Sequence, residues 1–192
     1  MNRANSQDGR RGASTIPKSA RMAPRRLRRS LCAKLLLCLC LGVSAAPYCV
    51  AGSLLHKEAP EFVRTDLKHR KLDLHAYRGK IVLLDFWATW CAPCLLEMPR
   101  FAAWQSQYGS RGLQIIGISM DDDPALARRV FNKLKLNYPV AMGDEKLGQL
   151  YGGVLGLPLT FLIDGQGRVQ GQFQGETGLS VIEAQFKTLL RP

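Results

Sequence analysis

Beyond residue 51 the sequence contains little cysteine and little histidine. Four of the six cysteines lie within the first 51 residues, which leaves only Cys91 and Cys94 in the remainder, together with three histidines. A structural zinc site needs four suitably spaced ligands, and His56, His69 and His75 all precede the cysteine pair without ligand spacing. The scarcity of both residue types argues against structural zinc. A domain with no other thiols also avoids mispairing in an oxidising compartment.

The same region lacks a basic cluster, although the whole chain has a formal net charge of +12. Ten of the 27 Lys and Arg residues, but only one of the 15 acidic residues, lie in residues 1–51. Because nucleic-acid binding requires a clustered basic face, we expect no nucleic-acid partner. The length of 192 residues accommodates one domain and a leader, but not two full domains.

Residues 1–51 have the composition of a basic leader that acts as a targeting segment. A basic stretch at 21–34 is followed by an apolar run of 12 residues at 35–46, and then by small residues at possible cleavage sites. This order is typical of a bacterial secretory signal peptide, and the run is shorter than the ~20 residues of a spanning helix. Cleavage and retention as an imperfect membrane anchor both fit the sequence. We therefore expect residues 52–192 to form a domain in the periplasm or on the outer face of the cytoplasmic membrane.

The hydrophobic pattern after residue 80 indicates an α/β domain. Short apolar segments predict strands at 81–88, 113–119, 138–141, 159–163 and 168–174. Helices are predicted at 93–108, 121–136, 144–151 and 178–190. We interpret the three acids from Asp121 to Asp123 as N-terminal helix caps. The order of elements predicts a parallel half and an antiparallel half joined in one central mixed β-sheet flanked by helices.

Cys91 and Cys94 lie where a buried strand turns into a helix, in the segment Trp90-Cys-Ala-Pro-Cys94. Unpaired backbone N–H groups and the helix dipole stabilise a thiolate at a helix N-terminus. Cys91 is therefore expected to be the exposed nucleophile, and Cys94 the more buried resolving thiol. Pro93 fits the first helical turn, where no hydrogen bond is lost. The expected chemistry is thiol–disulfide exchange, with a redox-active Cys91–Cys94 disulfide and no further cofactor.

The segment from Asp85 to Cys94 resembles the active site of thioredoxin-like proteins. Further motifs, at 59–62, 78–84, 97–99 and 156–164, resemble the exported thiol-disulfide oxidoreductases of the TlpA/ResA type, within the AhpC/TSA-redoxin-like branch. The resemblance implies a thioredoxin fold with a central insertion and an N-terminal β extension. It also implies a cell-envelope protein that reduces protein disulfides, for tasks such as cytochrome c or copper-site maturation. Cytochrome-maturation members often carry an acid after the cis-proline, where this chain has Leu159.

Two acids are candidates for proton transfer. Asp85 is the single charged residue in an apolar strand, so burial should raise its pKa and allow it to accept the proton of Cys94. The alternative is a surface acid on an edge strand. Glu97 lies about one helical turn after Cys94, where the resemblance implies an influence on the thiols. The alternative for Glu97 is a solvated helix residue.

The residues around the dithiol are candidates for substrate binding. Trp90, Ala92 and Pro93 surround Cys91 in the sequence. Pro158 matches the family's cis-proline, which faces the dithiol. The resemblance implies that the backbone of the preceding residue, Leu157, pairs with a substrate strand. Without the resemblance, Pro158 would be interpreted as a turn proline.

The motif alone does not determine the direction of electron transfer. The Ala-Pro dipeptide lacks a histidine to stabilise the Cys91 thiolate, which favours a reductase supplied by a membrane thiol electron donor over a disulfide-forming oxidase. Protein dithiols or disulfides are the expected substrates in either case. A non-catalytic copper-handling carrier and a peroxidase are the remaining alternatives. A peroxidase is disfavoured because no distant resolving cysteine is present beyond the pair.

Overall fold

The structure, a computed structural model, describes residues 53–190, and the predicted leader at 1–51 lies outside them. Its centre is a five-stranded mixed sheet in the order β5-β4-β3-β6-β7. The strands are β3 (Ile81–Trp87), β4 (Leu113–Ser119), β5 (Val140–Met142), β6 (Leu159–Ile163) and β7 (Val169–Gln174). Strands β3, β4 and β5 are parallel, whereas β6 and β7 are antiparallel to their neighbours. The predicted mixed sheet is confirmed.

A two-stranded antiparallel hairpin, formed by β1 (Val63–Thr65) and β2 (Lys71–Asp73), precedes the main sheet. It is the expected N-terminal β extension. A single bridge between Asp66 and Ala141 joins the hairpin to the edge strand β5. Strand β5 and a short helix lie between the βαβ unit and the C-terminal hairpin, at the place of the expected central insertion.

Within residues 53–190, four α-helices accompany the sheet: α1 (Ala92–Tyr108), α2 (Pro124–Lys133), α3 (Glu145–Leu150) and α4 (Leu179–Leu189). Alternation along β3 divides its side chains between two cores, because successive residues in a strand point to opposite faces. Leu83 and Trp87 pack in the cluster that includes α1 and α4, whereas Leu84 and Phe86 pack in the cluster on the other face. Asp85 follows the alternation of Leu83 and Trp87, so its carboxyl group lies on the α1 face. No helix within residues 53–190 is long and apolar enough to cross a membrane.

Three local predictions were wrong. Helix α2 ends at Lys133 rather than near Leu136, because Lys135 takes a left-handed conformation with φ of 51°. Strand β5 begins two residues later than predicted, at Val140. Of the three acids before α2, only Asp123 caps the helix, by accepting a hydrogen bond from the backbone N–H of Ala125.

Candidate active site: a disulfide beside two buried acids

Cys91 and Cys94 are joined by a disulfide at the start of α1. Cys91 is the N-cap residue, and its Sγ accepts a hydrogen bond of 3.3 Å from the backbone N–H of Cys94. The turn before the helix is closed by a hydrogen bond from the N–H of Cys91 to the carbonyl of Ala88. Sγ of Cys91, which becomes the thiolate when the disulfide is reduced, therefore lies next to a backbone N–H donor of the first helical turn.

The prediction that Cys91 is exposed was wrong for this oxidised state. Its exposed fraction is 4%, against 1% for Cys94. Both cysteines belong to the core cluster on the α1 face, and their sulfurs are bonded to each other. The difference in exposure is therefore too small to identify which cysteine is the attacking one and which is the resolving one.

Asp85 lies in the middle of the central strand and is 1% exposed. This placement excludes a surface acid on an edge strand. Its Oδ1 accepts a hydrogen bond of 3.1 Å from Oγ1 of Thr160, its cross-strand neighbour in β6. Burial, and then the charge of Glu97, raise the pKa of Asp85 to about 8, and the Thr160 hydrogen bond only partly offsets them. Asp85 is therefore mostly protonated at neutral pH.

Glu97 is 8% exposed and belongs to the buried face of α1, so it is not a solvated helix residue. Burial, followed by the charge of Glu176, raises its pKa to about 7. Glu97 is close enough to Asp85 for its charge to raise the pKa of Asp85. Among residues 53–190, neither acid forms an ion pair with a Lys, Arg or His side chain. Two proton-holding carboxyl groups without a counter-ion therefore lie on the same side of the sheet as the disulfide.

The residues predicted to contact substrate occupy two segments. Trp90 is 71% exposed and Ala92 is also exposed, whereas Pro93 is half-buried. On the second segment, the peptide bond between Leu157 and Pro158 is cis, as the resemblance implied. Leu157 is half-buried and packs against both core clusters, one of which contains the two cysteines.

Sequence reasoning missed a polar support beneath the active-site turn. Asp121 is 6% exposed, and it accepts hydrogen bonds from the N–H of Thr89 at 3.1 Å and from Oγ1 of Thr89 at 2.6 Å. Its second oxygen accepts a hydrogen bond of 2.8 Å from Oγ of Ser119. Strands β3 and β4 are parallel, so their carboxyl ends are adjacent. The predicted parallel order of these strands could therefore have indicated that Thr89 and Asp121 lie close together. Thr160 was also missed, although it is the one polar residue in an apolar strand.

The AhpC/TSA family profile matches residues 55–172, which is more than half of the chain. The chain belongs to the AhpC/TSA family. It is 37% identical over 135 residues to the thiol-disulfide oxidoreductase ResA of Bacillus thuringiensis, covering 69% of this chain and 77% of that protein. Together with the dithiol geometry, this similarity identifies a TlpA/ResA-type thiol:disulfide oxidoreductase.

Solved structures support the same fold for this AhpC/TSA family member. A crystal structure from Chlorobium tepidum, assigned as a thiol:disulfide interchange protein DsbE, superposes with a TM-score of 0.68 at 29% identity, covering 73% of this chain and 100% of that one. A second protein from Chlorobium tepidum TLS, a thiol:disulfide interchange protein of the thioredoxin family, gives a TM-score of 0.65 at 27% identity, covering 70% of this chain and 96% of that one. The α/β thioredoxin fold is therefore confirmed.

Proposed function

We propose that the protein works in the cell envelope as a reductase of protein disulfides. The observation that carries the proposal is the electrostatic setting of the dithiol. The two residues between the cysteines are Ala92 and Pro93, and the buried titratable groups near them include the carboxyl groups of Asp85 and Glu97. A strong oxidant needs its reduced form stabilised. Neither these acids nor the Ala-Pro dipeptide supplies a positive charge that would stabilise the Cys91 thiolate, and an ionised carboxylate would repel it, which favours a reducing dithiol.

The exchange proceeds in two steps. The Cys91 thiolate attacks one sulfur of a substrate disulfide, forms a mixed disulfide, and releases the other substrate sulfur as a thiolate. Cys94 then loses its proton and attacks Cys91, which releases the second substrate thiolate and forms the Cys91–Cys94 disulfide. Two electrons pass to the substrate. A membrane thiol donor must return two electrons to the disulfide in each cycle.

Asp85 is the proposed acceptor of the Cys94 proton. It lies on the face of β3 against which α1 packs, and α1 carries Cys94. A general base works best when its pKa lies near the operating pH, and the pKa of Asp85 is about 8. Glu97 adjusts that value through its own charge.

The location outside the cytoplasm is supported by the order of basic, apolar and small residues within 1–51. A domain that carries two cysteines in its redox pair and no other cysteine after residue 51 also suits an oxidising compartment. The same leader, if retained, would tether the domain near a membrane donor. Mass spectrometry of the exported protein's N-terminus tests whether the leader is removed.

The reduction potential of the Cys91/Cys94 pair tests the proposed direction. Equilibration of the protein with a dithiothreitol buffer should give a value nearer to about −270 mV, as in thioredoxin, than to about −120 mV, as in a strong oxidant. A value near the second figure would replace the reductase with a disulfide-forming oxidase. Catalysis of insulin disulfide reduction, absent in a Cys91→Ser variant, would separate the enzyme from a non-catalytic copper carrier.

A further inference from the structure

A cleft of about 870 Å³ opens beside the active-site turn. One wall is the loop from Met120 to Pro124, and the opposite wall is the segment from Gly153 to Leu155. Residues at the end of β5 and in α3 form the remaining wall. The volume lies within the range of about 300–1,000 Å³ that is usual for binding pockets.

Each wall of the cleft is linked to a segment of the candidate active site. The first wall contains Asp121, whose carboxylate holds Thr89, two residues before Cys91. The second wall runs into Leu157 and the cis-proline. The cleft is therefore connected to the turn that precedes Cys91 and to the cis-proline segment.

The surface of the cleft is apolar and adaptable. Met120 lines it, and methionine fills irregular space because its side chain is unbranched and flexible. Gly143 leaves room for that side chain, because a Cβ there would lie 2.5 Å from Sδ of Met120. At the rim Leu155 is 90% exposed, and Trp90 is 71% exposed beside the dithiol. These exposed apolar side chains are available for contact with a polypeptide bound in the cleft.

The charge of the cleft has one sign. Four carboxyl groups line it, and no Lys or Arg among the described residues does. Two of the four are already engaged, because Asp121 holds Thr89 and Asp144 forms an ion pair with Arg64. Asp122 and Glu145 are exposed and form no ion pair within residues 53–190.

We propose that this cleft binds the substrate polypeptide next to its reacting cysteine, and that it selects segments carrying a basic and an apolar residue there. The inference rests on the proposed reductase function and names its substrate class. The apolar residue packs on Met120 and Leu155, while the basic residue faces Asp122 and Glu145. Because glutathione carries net negative charge, the same carboxylates disfavour it as a substrate.

The test uses two short synthetic peptides that differ only in Lys or Glu beside a Leu-Cys pair, each with its cysteine blocked as a mixed disulfide with thiopyridine. The reduced full-length protein is mixed with each peptide, and release of thiopyridine gives a rate constant. Each rate is divided by the rate with dithiothreitol, which removes the difference in intrinsic reactivity. We expect the Lys peptide to react about three- to tenfold faster than the Glu peptide, with a smaller ratio at high salt.

The paired substitution Asp122→Asn with Glu145→Gln should bring this ratio to within about twofold of one. Glu58→Gln is the matched control. Glu58 forms a backbone β-bridge with Arg168, just before β7 and away from the carboxyl end of β3. In this variant the ratio of the two rates should remain unchanged. A wild-type ratio near one, or a ratio that survives the paired substitution, overturns the proposal. Uncharged hydroxyethyl disulfide separates the reductase function from the proposed charge selection by the cleft. If the same protein reduces this compound but shows no charge preference, the reductase function is upheld and the proposal for the cleft is overturned. If the protein does not reduce it, both are overturned.

Discussion

Two carboxyl groups packed near helix α1 have opposite surroundings. Glu183, in α4, forms ion pairs with Lys187 at 2.7 Å and Arg100 at 2.9 Å, and it accepts a hydrogen bond from Tyr108. These contacts, those of Lys187 first and Arg100 second, lower its pKa to about 2. Asp85 has one hydrogen bond from a neutral hydroxyl group, and its pKa is raised to about 8 by burial first and by Glu97 second.

The difference does not arise from a shortage of basic residues. Helix α1 carries both Glu97 and Arg100, three residues apart, yet the guanidinium group pairs with Glu183 at the surface and not with the buried acids. Burial of acids without a counter-ion costs stability. Such a cost is expected where a group must hold and release a proton, and Asp85 lies on the face of the sheet that also receives the dithiol.

Replacing Asp85 should give the largest change in stability. The pKa of Asp85 is raised in the folded protein, so between about pH 4 and pH 8 the folded state retains a proton that the unfolded chain releases, and stability falls as pH rises. Asp85→Asn removes this loss and should increase the free energy of unfolding at pH 7 by about 2–4 kcal/mol. Urea denaturation of the oxidised wild-type and Asp85→Asn proteins at pH 5 and pH 8 measures the free energy of unfolding and its dependence on pH. Equal pH slopes in both proteins would contradict the burial of an uncompensated acid.

The same substitution should slow the resolving step about 10- to 100-fold at pH 7, because a positioned general base is lost. In the wild-type protein the rate should rise with pH through about 8, as Asp85 ionises. In Asp85→Asn that rise should be absent. Stopped-flow measurement of substrate release from the mixed disulfide gives the rate. Alkylation of Cys91 by iodoacetamide is the control, since it reports the attacking thiol alone.

Replacing Glu97 should have a smaller and opposite effect on the same step. The charge of Glu97 raises the pKa of Asp85, so Glu97→Gln should lower it and move the pH profile of resolution downward by up to about one unit. At pH 7 more Asp85 is then ionised, and the rate should increase about two- to fivefold. If the pH profile of the resolving step were unchanged in Glu97→Gln, Glu97 would not act on this step through the pKa of Asp85. It would then act through the substrate, or have no role in the exchange.

Local patterns predicted much of this architecture. The dithiol at the strand–helix junction, the mixed sheet and the burial of Asp85 follow from the short apolar segments and from the position of the cysteine pair. The cis peptide bond before Pro158 was predicted from the family resemblance, because a proline in the sequence alone predicts only a turn.

The missed features depend on contacts between distant segments. Asp121 resembles a helix cap in sequence, but the adjacent end of β3 offers it Thr89, which lies 32 positions earlier. Cys91 is buried in the disulfide form because it packs in a core cluster built from several elements, which the local motif does not specify. The cleft depends on how two loops meet the end of β5 and helix α3, and no single segment encodes it.

Glu183→Gln should have the smallest effect and provides the control for the whole comparison. Because the pKa of Glu183 is lowered, its ion pairs stabilise the folded protein above its ordinary pKa of 4.5, and that contribution is lost as pH falls through about 2. Pairs near the surface contribute little, so the free energy of unfolding at pH 7 should fall by less than about 1 kcal/mol, and less at high salt. The rate of disulfide exchange should not change. If exchange slowed as in Asp85→Asn, the distinction between a structural acid and a proton-transferring acid would not hold, since both would then act on the dithiol through α1.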